Sequence, residues 1–273
     1  MKTLRGAVQP AAVLLLTFVF VALPMWLVLI TSAKSQGEAQ QPDFSLPTTW
    51  NLAENYTQAI QQGGFWRALA GSAMIVIPAV VVVLITGAMA SWIFARRSGR
   101  ALGALYAVGI AGVLIPPAAV TVVLLLRNLG IANQPIGLIC VYIGMYLGNV
   151  IFFMTGFVRT IPRELEEAAE VDGAGPVKVF FRIIFPMLRP TIATCAILIT
   201  LFAWNDVFYA FFVIGGGETT TLPLSLYNVA SSSLYTHNWN LIFAYVVMMS
   251  IPLVTLFVFG QRQIISGVTQ GAV

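Results

Sequence analysis

Few side chains in this 273-residue sequence have the types and the spacing that catalysis requires. His237 is the only histidine, so the chain offers neither a Ser–His–Asp triad nor a histidine-rich metal site. Cys140 and Cys195 lie inside apolar stretches, which is typical of buried thiols rather than of a disulfide or metal framework. The sequence also contains no Gly-x-x-x-x-Gly-Lys-Ser/Thr phosphate loop. We therefore expect the chain not to be an enzyme and to bind no cofactor or metal by itself.

Charged residues are concentrated in one segment, residues 159–189, which has five bases and five acids. Pro162 is suited to the first turn of a helix, and three glutamates follow it where the helix dipole favours negative charge. Glu166 and Glu170 are four residues apart, which predicts that both lie on one exposed face of that helix. The zero net charge of the segment argues against simple anchoring to lipid.

A turn is predicted in the middle of this charged segment. Gly173 is suited to the left-handed residue that ends a helix, and Pro176 favours the start of a second short helix. The second helix is predicted to be amphipathic, with aromatic residues at positions 180, 181 and 185. The whole segment therefore predicts a helix–turn–helix. It either docks in a groove on a soluble partner or is a solvated loop of balanced charge.

The rest of the sequence is strongly apolar. Apolar residues make up 59% of the chain and charged residues 9%, against roughly 25% charged residues in soluble domains. A helix of about 20 apolar residues crosses a bilayer core of about 30 Å. The sequence predicts an all-α polytopic membrane protein in which residues 1–273 form a single transmembrane domain. The six transmembrane helices are predicted at about 10–32, 68–95, 101–126, 135–158, 190–214 and 240–261.

The lysines and arginines are divided unequally between the two sides of this predicted arrangement. One side has only Lys34, Arg67 and Arg127. The other side has eleven, which are Lys2, Arg5, Arg96, Arg97, Arg100, Arg159, Arg163, Lys178, Arg182, Arg189 and Arg262. Because basic loops stay inside, both termini and the charged segment are predicted to be cytoplasmic, in a multi-pass protein of the cell (inner) membrane. The net charge of +4 is then explained by the lysines and arginines that orient the chain in the membrane, and we expect no nucleic acid partner.

Asp206 is the only charged residue inside a predicted membrane helix. Carriers coupled to protons or sodium usually need ionisable residues or ion sites near the middle of the membrane, so one acid near the external end of a helix argues against such coupling. If solutes move through this protein, we expect the energy to come from another subunit. The two long segments predicted to be external, 34–67 and 215–239, either merely connect helices or receive a delivery protein. The first of them is expected to be ordered and partly helical.

The charged segment contains Glu167-Ala168-Ala169, Asp172-Gly173-Ala174, Phe180, Ile183 and Pro186, in that order. This pattern resembles the EAA loop of ABC importer permeases. Within that family the chain is similar to the second permease of carbohydrate importers, the maltose-permease-like type. The similarity runs from about residue 10 to the end. Its further matches are Asn51-Leu52-Ala53-Glu54-Asn55-Tyr56, Trp204-Asn205-Asp206, Leu222-Pro223-Leu224, Gln261-Arg262-Gln263, Ser266-Gly267-Val268-Thr269 and Gly271-Ala272-Val273. The chain departs from the pattern at Gly71-Ser72, where relatives commonly have Asn-Ser, and at Phe185, where leucine is usual.

The resemblance implies a permease subunit of an ATP-driven, binding-protein-dependent importer of a sugar or oligosaccharide, forming half of the translocation pathway. The implied partners are a second six-span permease, two ATP-binding subunits that hold ATP and Mg, an extracytoplasmic solute-binding protein and membrane lipid. The loop would form a coupling helix seated in a cleft of an ATPase subunit. The residues assigned to this coupling are Glu167, Ala168, Ala169, Asp172, Gly173, Ala174 and Pro186. Glu167 would make a charged contact, Asp172 would cap the turn, and Gly173 would supply the backbone angle.

Trp204, Asn205, Asp206 and Tyr209 are the candidate residues of the substrate pathway. Sugars are held by aromatic faces and by hydrogen bonds to amides and carboxylates, and these four residues offer both. Alternatively, Trp204 packs in the core and Asp206 is hydrated near the membrane surface. Two other functions also stay open at this point. One is a self-sufficient solute channel or ion-coupled secondary carrier, and the other is an importer of the same architecture for a non-sugar solute such as a polyol or glycerol phosphate.

Overall fold

The computed structural model of the chain describes residues 10, 12–114, 118–231 and 238–270, and within these ranges every regular element is a helix. This agrees with the predicted all-α class. Lys2, Arg5, His237 and the tail 271–273, which the sequence analysis uses, lie outside the described residues. The helices, numbered in chain order, are α1 (Ala12–Thr31), α2 (Gln36–Ala39), α3 (Leu52–Gln62), α4 (Phe65–Arg96), α5 (Arg100–Leu114), α6 (Ala119–Asn128), α7 (Pro135–Val158), α8 (Glu164–Val171), α9 (Pro176–Met187), α10 (Arg189–Trp204), α11 (Phe208–Ile214), α12 (Leu222–Ser231) and α13 (Trp239–Gln270).

Four helices in the described ranges are each long and apolar enough to cross a membrane. They are α1, α4, α7 and the part of α13 over Trp239–Gln261. These helices fall where the first, second, fourth and sixth spans are predicted. A chain with several such helices is a polytopic membrane protein, because apolar helices of this length need either lipid or a large protein core around them.

The predicted third and fifth spans are not single straight helices. The third corresponds to α5 and α6, which have 15 and 10 residues and are separated by residues 115–117, outside the described ranges. The fifth corresponds to α10 and α11, which are separated by residues 205–207. In addition, α9 and α10 together are long and apolar enough to cross a membrane, but their axes meet at a bend of 73°.

The described residues fall into two compact units, and the first comprises those that lie within 1–69 and 225–251. At its centre, the Asn55 side-chain amide of α3 donates to the backbone carbonyls of Ser32 at 2.9 Å and Lys34 at 2.8 Å. The Asn240 side-chain amide of α13 in turn donates to Asn55 Oδ1 at 2.9 Å. The predicted ordered segment after α1 is therefore present, and it is fixed by buried amides.

Lys34 lies at the start of this segment and has only 2% of its side chain exposed. Its ammonium group donates to the Asp43 carboxylate and to the Ser45 hydroxyl. Hydrogen bonds from Lys34 and Ser45 hold the pKa of Asp43 at about 2, well below its usual range. The carboxylate is thus ionised throughout the physiological pH range.

The second unit comprises residues 70–224 and 252–273. Here α4 approaches the chain that leads into α12. The Leu222 backbone N–H, at the start of α12, donates to Ser72 Oγ at 2.8 Å. A Cβ atom on Gly71 would lie 2.1 Å from the carbonyl oxygen of Thr220. The departure from Asn-Ser to Gly71-Ser72 therefore has a structural reason, since only glycine leaves room for this backbone contact.

Replacing Gly71 by asparagine is expected to destabilise the protein by about 1–3 kcal/mol, because the new side chain must displace the Thr220 backbone. Thermal unfolding of the detergent-purified chain measures the loss. Gly103→Ala is the matched control, because it also adds a Cβ to a helix but meets no atom within 4 Å. Equal melting temperatures for the Gly71→Asn and wild-type chains would contradict the close approach.

Candidate functional site

The charged segment, residues 159–189, forms the predicted helix–turn–helix; it is called the coupling segment below, after the role that the resemblance implies. Its first helix, α8, begins at Glu164, two residues after Pro162. The turn has two hydrogen bonds: Gly173 N–H donates to the Glu170 carbonyl at 3.0 Å, and Ala174 N–H donates to the Ala169 carbonyl at 2.9 Å. Gly173 has φ = 81°, so this is the Schellman arrangement in which a left-handed residue ends the helix. The predicted left-handed stop at Gly173 is confirmed.

The outer surface of this turn is exposed and has both charged and small residues. Glu167, Ala168 and Asp172 are exposed, whereas Ala169 and Ala174 are half-buried. The expectation that Asp172 caps the turn is not met: within the described residues its carboxylate makes no hydrogen bond, and backbone groups close the turn. The carboxylates of Glu167 and Asp172 are therefore both available to a partner.

Glu166 is the main difference between the sequence prediction and the structure. It does not lie on an exposed face but is buried, with 11% of its side chain exposed. Its carboxylate accepts hydrogen bonds from Arg96 Nε at 2.7 Å and Trp92 Nε1 at 2.8 Å. Arg96 Nη2 also donates to the Ile161 carbonyl at 2.8 Å, just before α8. These bonds attach the start of the coupling segment to the C-terminal end of α4.

The second helix of the coupling segment packs against α4 through one of its aromatic residues. The Phe180 ring is buried and lies 5.8 Å from the ring of Trp92 and 4.9 Å from that of Phe181, between centroids. Phe185 packs on the same ring at 5.8 Å. Pro186 has no backbone N–H, and the helix widens just before it into a π-helical turn over Phe180–Ile184.

The candidate pathway residues surround the break between α10 and α11, but they face different surroundings. Trp204 is buried, with 7% of its surface exposed, and Asn205 donates to the Leu201 carbonyl of its own helix at 2.8 Å. Asp206 accepts the backbone N–H groups of Tyr209 at 3.2 Å and Ala210 at 3.0 Å. Its carboxylate therefore satisfies the first turn of α11, which explains why the predicted fifth span is interrupted here.

Asp206 also lines a cavity of about 360 Å³ within the second unit. The Tyr142 hydroxyl donates to its carboxylate at 2.9 Å. Trp204, Asn205 and Tyr209 do not line this cavity. The lining consists of Met145, Tyr146, Asn149, Val150, Phe153, Cys195, Leu198, Ile199, Phe202 and Asp206. A mostly apolar wall with a few polar groups is typical of small-molecule sites.

Sequence reasoning missed Tyr146, Asn149 and Phe202 as cavity residues. The rings of Tyr146 and Phe202 are stacked, with centroids 6.4 Å apart and planes 18° apart. The sequence does contain a signal for Asn149, because a polar amide in the middle of an apolar helix usually faces a cavity or another helix. No comparable signal exists for the two rings, because aromatic residues are common throughout such helices and only packing selects which of them face a cavity.

Replacing Tyr142 by phenylalanine removes the hydrogen bond to Asp206 and is expected to destabilise the protein by about 1–3 kcal/mol. Tyr146→Phe is the matched control, because it removes a hydroxyl from the next turn of α7, where that hydroxyl makes no hydrogen bond within the described residues. Thermal unfolding in detergent compares the two. A larger loss for Tyr146→Phe would contradict the role given to the Tyr142 hydroxyl.

Comparison with known proteins adds three kinds of match. A family model described as "binding-protein-dependent transport system inner membrane component" matches residues 85–270. The diacetylchitobiose uptake system permease protein NgcG of Streptomyces coelicolor is 33% identical over 269 residues, covering 98% of this chain and 89% of that protein. The melibiose/raffinose/stachyose import permease protein MelC of Bacillus subtilis is 30% identical over 254 residues, covering 92% of this chain and 91% of that protein.

Solved structures share the fold. One chain of a bacterial ABC transporter involved in the import of the acidic polysaccharide alginate superposes with a TM-score of 0.82, at 20% identity. The superposition covers 96% of this chain and 98% of that chain. A chain of the alginate transporter in complex with its alginate pentasaccharide-bound periplasmic protein gives a TM-score of 0.66 at 14% identity. At these identities the likeness concerns the fold alone.

Proposed function

The chain belongs to the family of binding-protein-dependent transport system inner membrane components, and from that premise we propose that it is one of two permease subunits of an ATP-driven importer for a sugar or oligosaccharide. Members of this family are transport subunits and not enzymes, which confirms the prediction that the chain is not an enzyme. Family membership also confirms the predicted location in the inner membrane.

The proposed topology has six spans, with residues 1–273 as a single transmembrane domain. The helices α5 and α6 together form the third span, and α10 and α11 together form the fifth. Each of these helices alone is shorter than the roughly 20 residues that a bilayer requires. Both termini and the coupling segment lie in the cytoplasm, because eleven lysines and arginines fall on that side and three on the other.

The coupling segment is proposed to dock in a cleft of an ATP-binding subunit. The observation that carries this proposal is the combination of an exposed outer turn with a buried attachment, since Glu167 and Asp172 are exposed while Glu166 is bound by Arg96 and Trp92. A force applied to the turn is then passed to α4. The residues assigned to this coupling are Glu167, Ala168, Ala169, Asp172, Gly173, Ala174 and Pro186.

The proposed solute is a saccharide, and its pathway in this chain includes the cavity next to Asp206. Support for a saccharide comes from relatives whose names specify diacetylchitobiose and melibiose, raffinose and stachyose. Asp206, Tyr146 and Asn149 offer hydrogen-bonding groups, and Phe202 offers an aromatic face. Trp204, Asn205 and Tyr209 are placed around the break rather than in this cavity, and we propose that they shape the pathway.

The proposed partners are a second permease, two ATP-binding subunits that hold ATP and Mg, and an extracytoplasmic solute-binding protein. A solved alginate transporter has such a periplasmic protein bound. Alternating access in this assembly needs contacts that differ between its two states. ATP supplies those contacts at the ATPase subunits, and the coupling segments transmit them.

The experiment that tests the proposal starts from native membranes. The chain is tagged, the membranes are solubilised gently, and the co-purifying proteins are identified by mass spectrometry. A phosphate-loop ATPase and a second permease are expected, and proteoliposomes of the complex should take up saccharide only with ATP and the binding protein. Recovery of a well-folded chain alone, with solute transport in vesicles that lack ATP, would instead indicate a self-sufficient channel or carrier.

A further inference from the structure

A second cavity, of about 200 Å³, lies in the first unit, and its lining is almost entirely polar. Among the described residues nine line it: seven are asparagine or glutamine, and the other two are Glu54 and Leu241. The cavity belongs to the segments proposed to be external, beside α3 and the start of α13. None of its residues lines the cavity next to Asp206.

The amides of α3, together with Asn51 just before its first residue, form one face of that helix. Asn51, Asn55, Gln58 and Gln62 recur every three or four residues, which is the spacing of a helix face. Because this face carries amides instead of apolar side chains, it is suited to contact a polar occupant. Asn55 is already used in fixing the segment after α1, so the groups open to a ligand come from the other residues.

Asn240, one of the lining residues, has a hydrogen-bonding atom that the described residues leave unused. The residue is only 4% exposed, and its Nδ2 donates to Asn55 Oδ1. Its Oδ1 is buried and accepts no hydrogen bond from the described residues. The side chains of Asn51 and Gln62, which also line the cavity, make no hydrogen bond with the described residues either. Buried acceptors are nearly always paired in folded proteins, so the unsatisfied Oδ1 of this lining residue is an acceptor left unused beside the cavity.

The chemistry of the lining restricts the class of occupant. No lysine or arginine lines the cavity, which argues against an anion, and the only carboxylate, Glu54, already accepts a bond from Gln58 at 3.1 Å. A cation such as Ca²⁺ takes 6–8 oxygen ligands that usually include several carboxylates. An amide both donates and accepts hydrogen bonds, as a sugar hydroxyl does. Neutral polyhydroxylated molecules therefore match the lining.

We infer that this cavity binds one ring of a neutral saccharide. Its volume of about 200 Å³ is below the roughly 300–1,000 Å³ of sites that enclose drug-sized ligands, which favours a single ring over a whole oligosaccharide. The choice of a saccharide among polyhydroxylated molecules rests on the proposed function. The position of the site and its hydrogen-bonding chemistry rest on the cavity itself.

Saturation-transfer NMR on the complete transporter in lipid nanodiscs, without ATP, tests the inference. The probes are N-acetylglucosamine, galactose and glucose, and at least one is expected to bind at millimolar concentration. Asn51→Ala combined with Gln62→Ala should weaken this binding by roughly tenfold, since two amides that contact the ring are lost. Gln61→Ala is the matched control, because it removes an exposed amide of the same helix that does not line the cavity.

The outcomes distinguish this site from the proposed function. Absence of binding by all three probes, with ATP-driven uptake intact, would overturn the inference and leave the importer proposal standing. Equal binding by the double variant and the wild type would also overturn it. If the double variant binds the saccharides normally and loses only affinity for the solute-binding protein, the cavity is a contact surface for that protein and the inference is overturned. Binding that depends on Asn51 and Gln62, in a complex without ATP-driven uptake, would support the site and contradict the importer proposal.

Discussion

Replacing Glu166 by alanine is expected to abolish most of the solute uptake while ATP hydrolysis continues. The substitution leaves the Arg96 guanidinium, 13% exposed, without its carboxylate partner. Breaking a buried ion pair from one side costs about 3–5 kcal/mol. Weakening the attachment of α8 by this amount should lower uptake by at least about a hundredfold, because roughly 1.4 kcal/mol corresponds to a factor of ten. Uptake and ATPase activity of the reconstituted transporter measure the two effects separately.

Glu170→Ala is the matched control for this experiment. It removes a carboxylate from the same helix, but Glu170 is exposed and makes no ion pair within the described residues. We expect the control to keep its melting temperature. Trp92→Phe should have a smaller effect than Glu166→Ala, since it removes one neutral donor and leaves the Arg96 pair in place. Normal ATP-driven uptake in Glu166→Ala would contradict the proposed transmission through Arg96.

Replacing Gly173 by valine is expected to uncouple transport from ATP hydrolysis without preventing membrane insertion. Gly173 has φ = 81°, and a left-handed conformation costs an ordinary residue about 1–2 kcal/mol, with a further penalty for a β-branched side chain. Within the described residues no atom lies within 4 Å of the Cβ that the substitution adds, so that atom makes no clash inside the chain. Uptake by proteoliposomes and the amount of chain in purified membranes are measured together.

Gly173→Asn and Gly175→Ala separate the backbone effect from a general effect of added side chains. Asparagine adopts left-handed angles more readily than other non-glycine residues, so Gly173→Asn should keep most of its uptake. Gly175 has φ = −72°, which alanine adopts without strain, and its Cβ would also meet no atom within 4 Å. Equal loss of uptake in all three variants would show that the left-handed angle is not the cause.

The features that could be predicted from the sequence are those encoded within about 20 consecutive residues. Apolar stretches of the length of a bilayer indicated a polytopic helical protein, and four of them are long helices in the structure. The turn at Gly173 was also predictable, because a helix stop depends on residues within one turn.

The partners of buried polar groups could not be predicted from the sequence. Glu166 and Arg96 are 70 residues apart, and Asn55 and Asn240 are 185 residues apart. A helix pattern says which residues share a face, but several faces were compatible with burial against a neighbour. The exposed position predicted for Glu166 was therefore wrong, although the helix itself was predicted correctly.

The sequence by itself determined that this protein is a helical membrane protein with a charged helix–turn–helix, because length, hydropathy and turn chemistry are local properties. Only the tertiary structure decided that Glu166 attaches this segment to α4, that Asp206 both interrupts a helix and lines a cavity, and that Asn240 has an unpaired oxygen beside an amide-rich cavity. The physical reason is that a polar group in a low-dielectric interior must find a partner, and the packing of distant helices decides which partner is within reach.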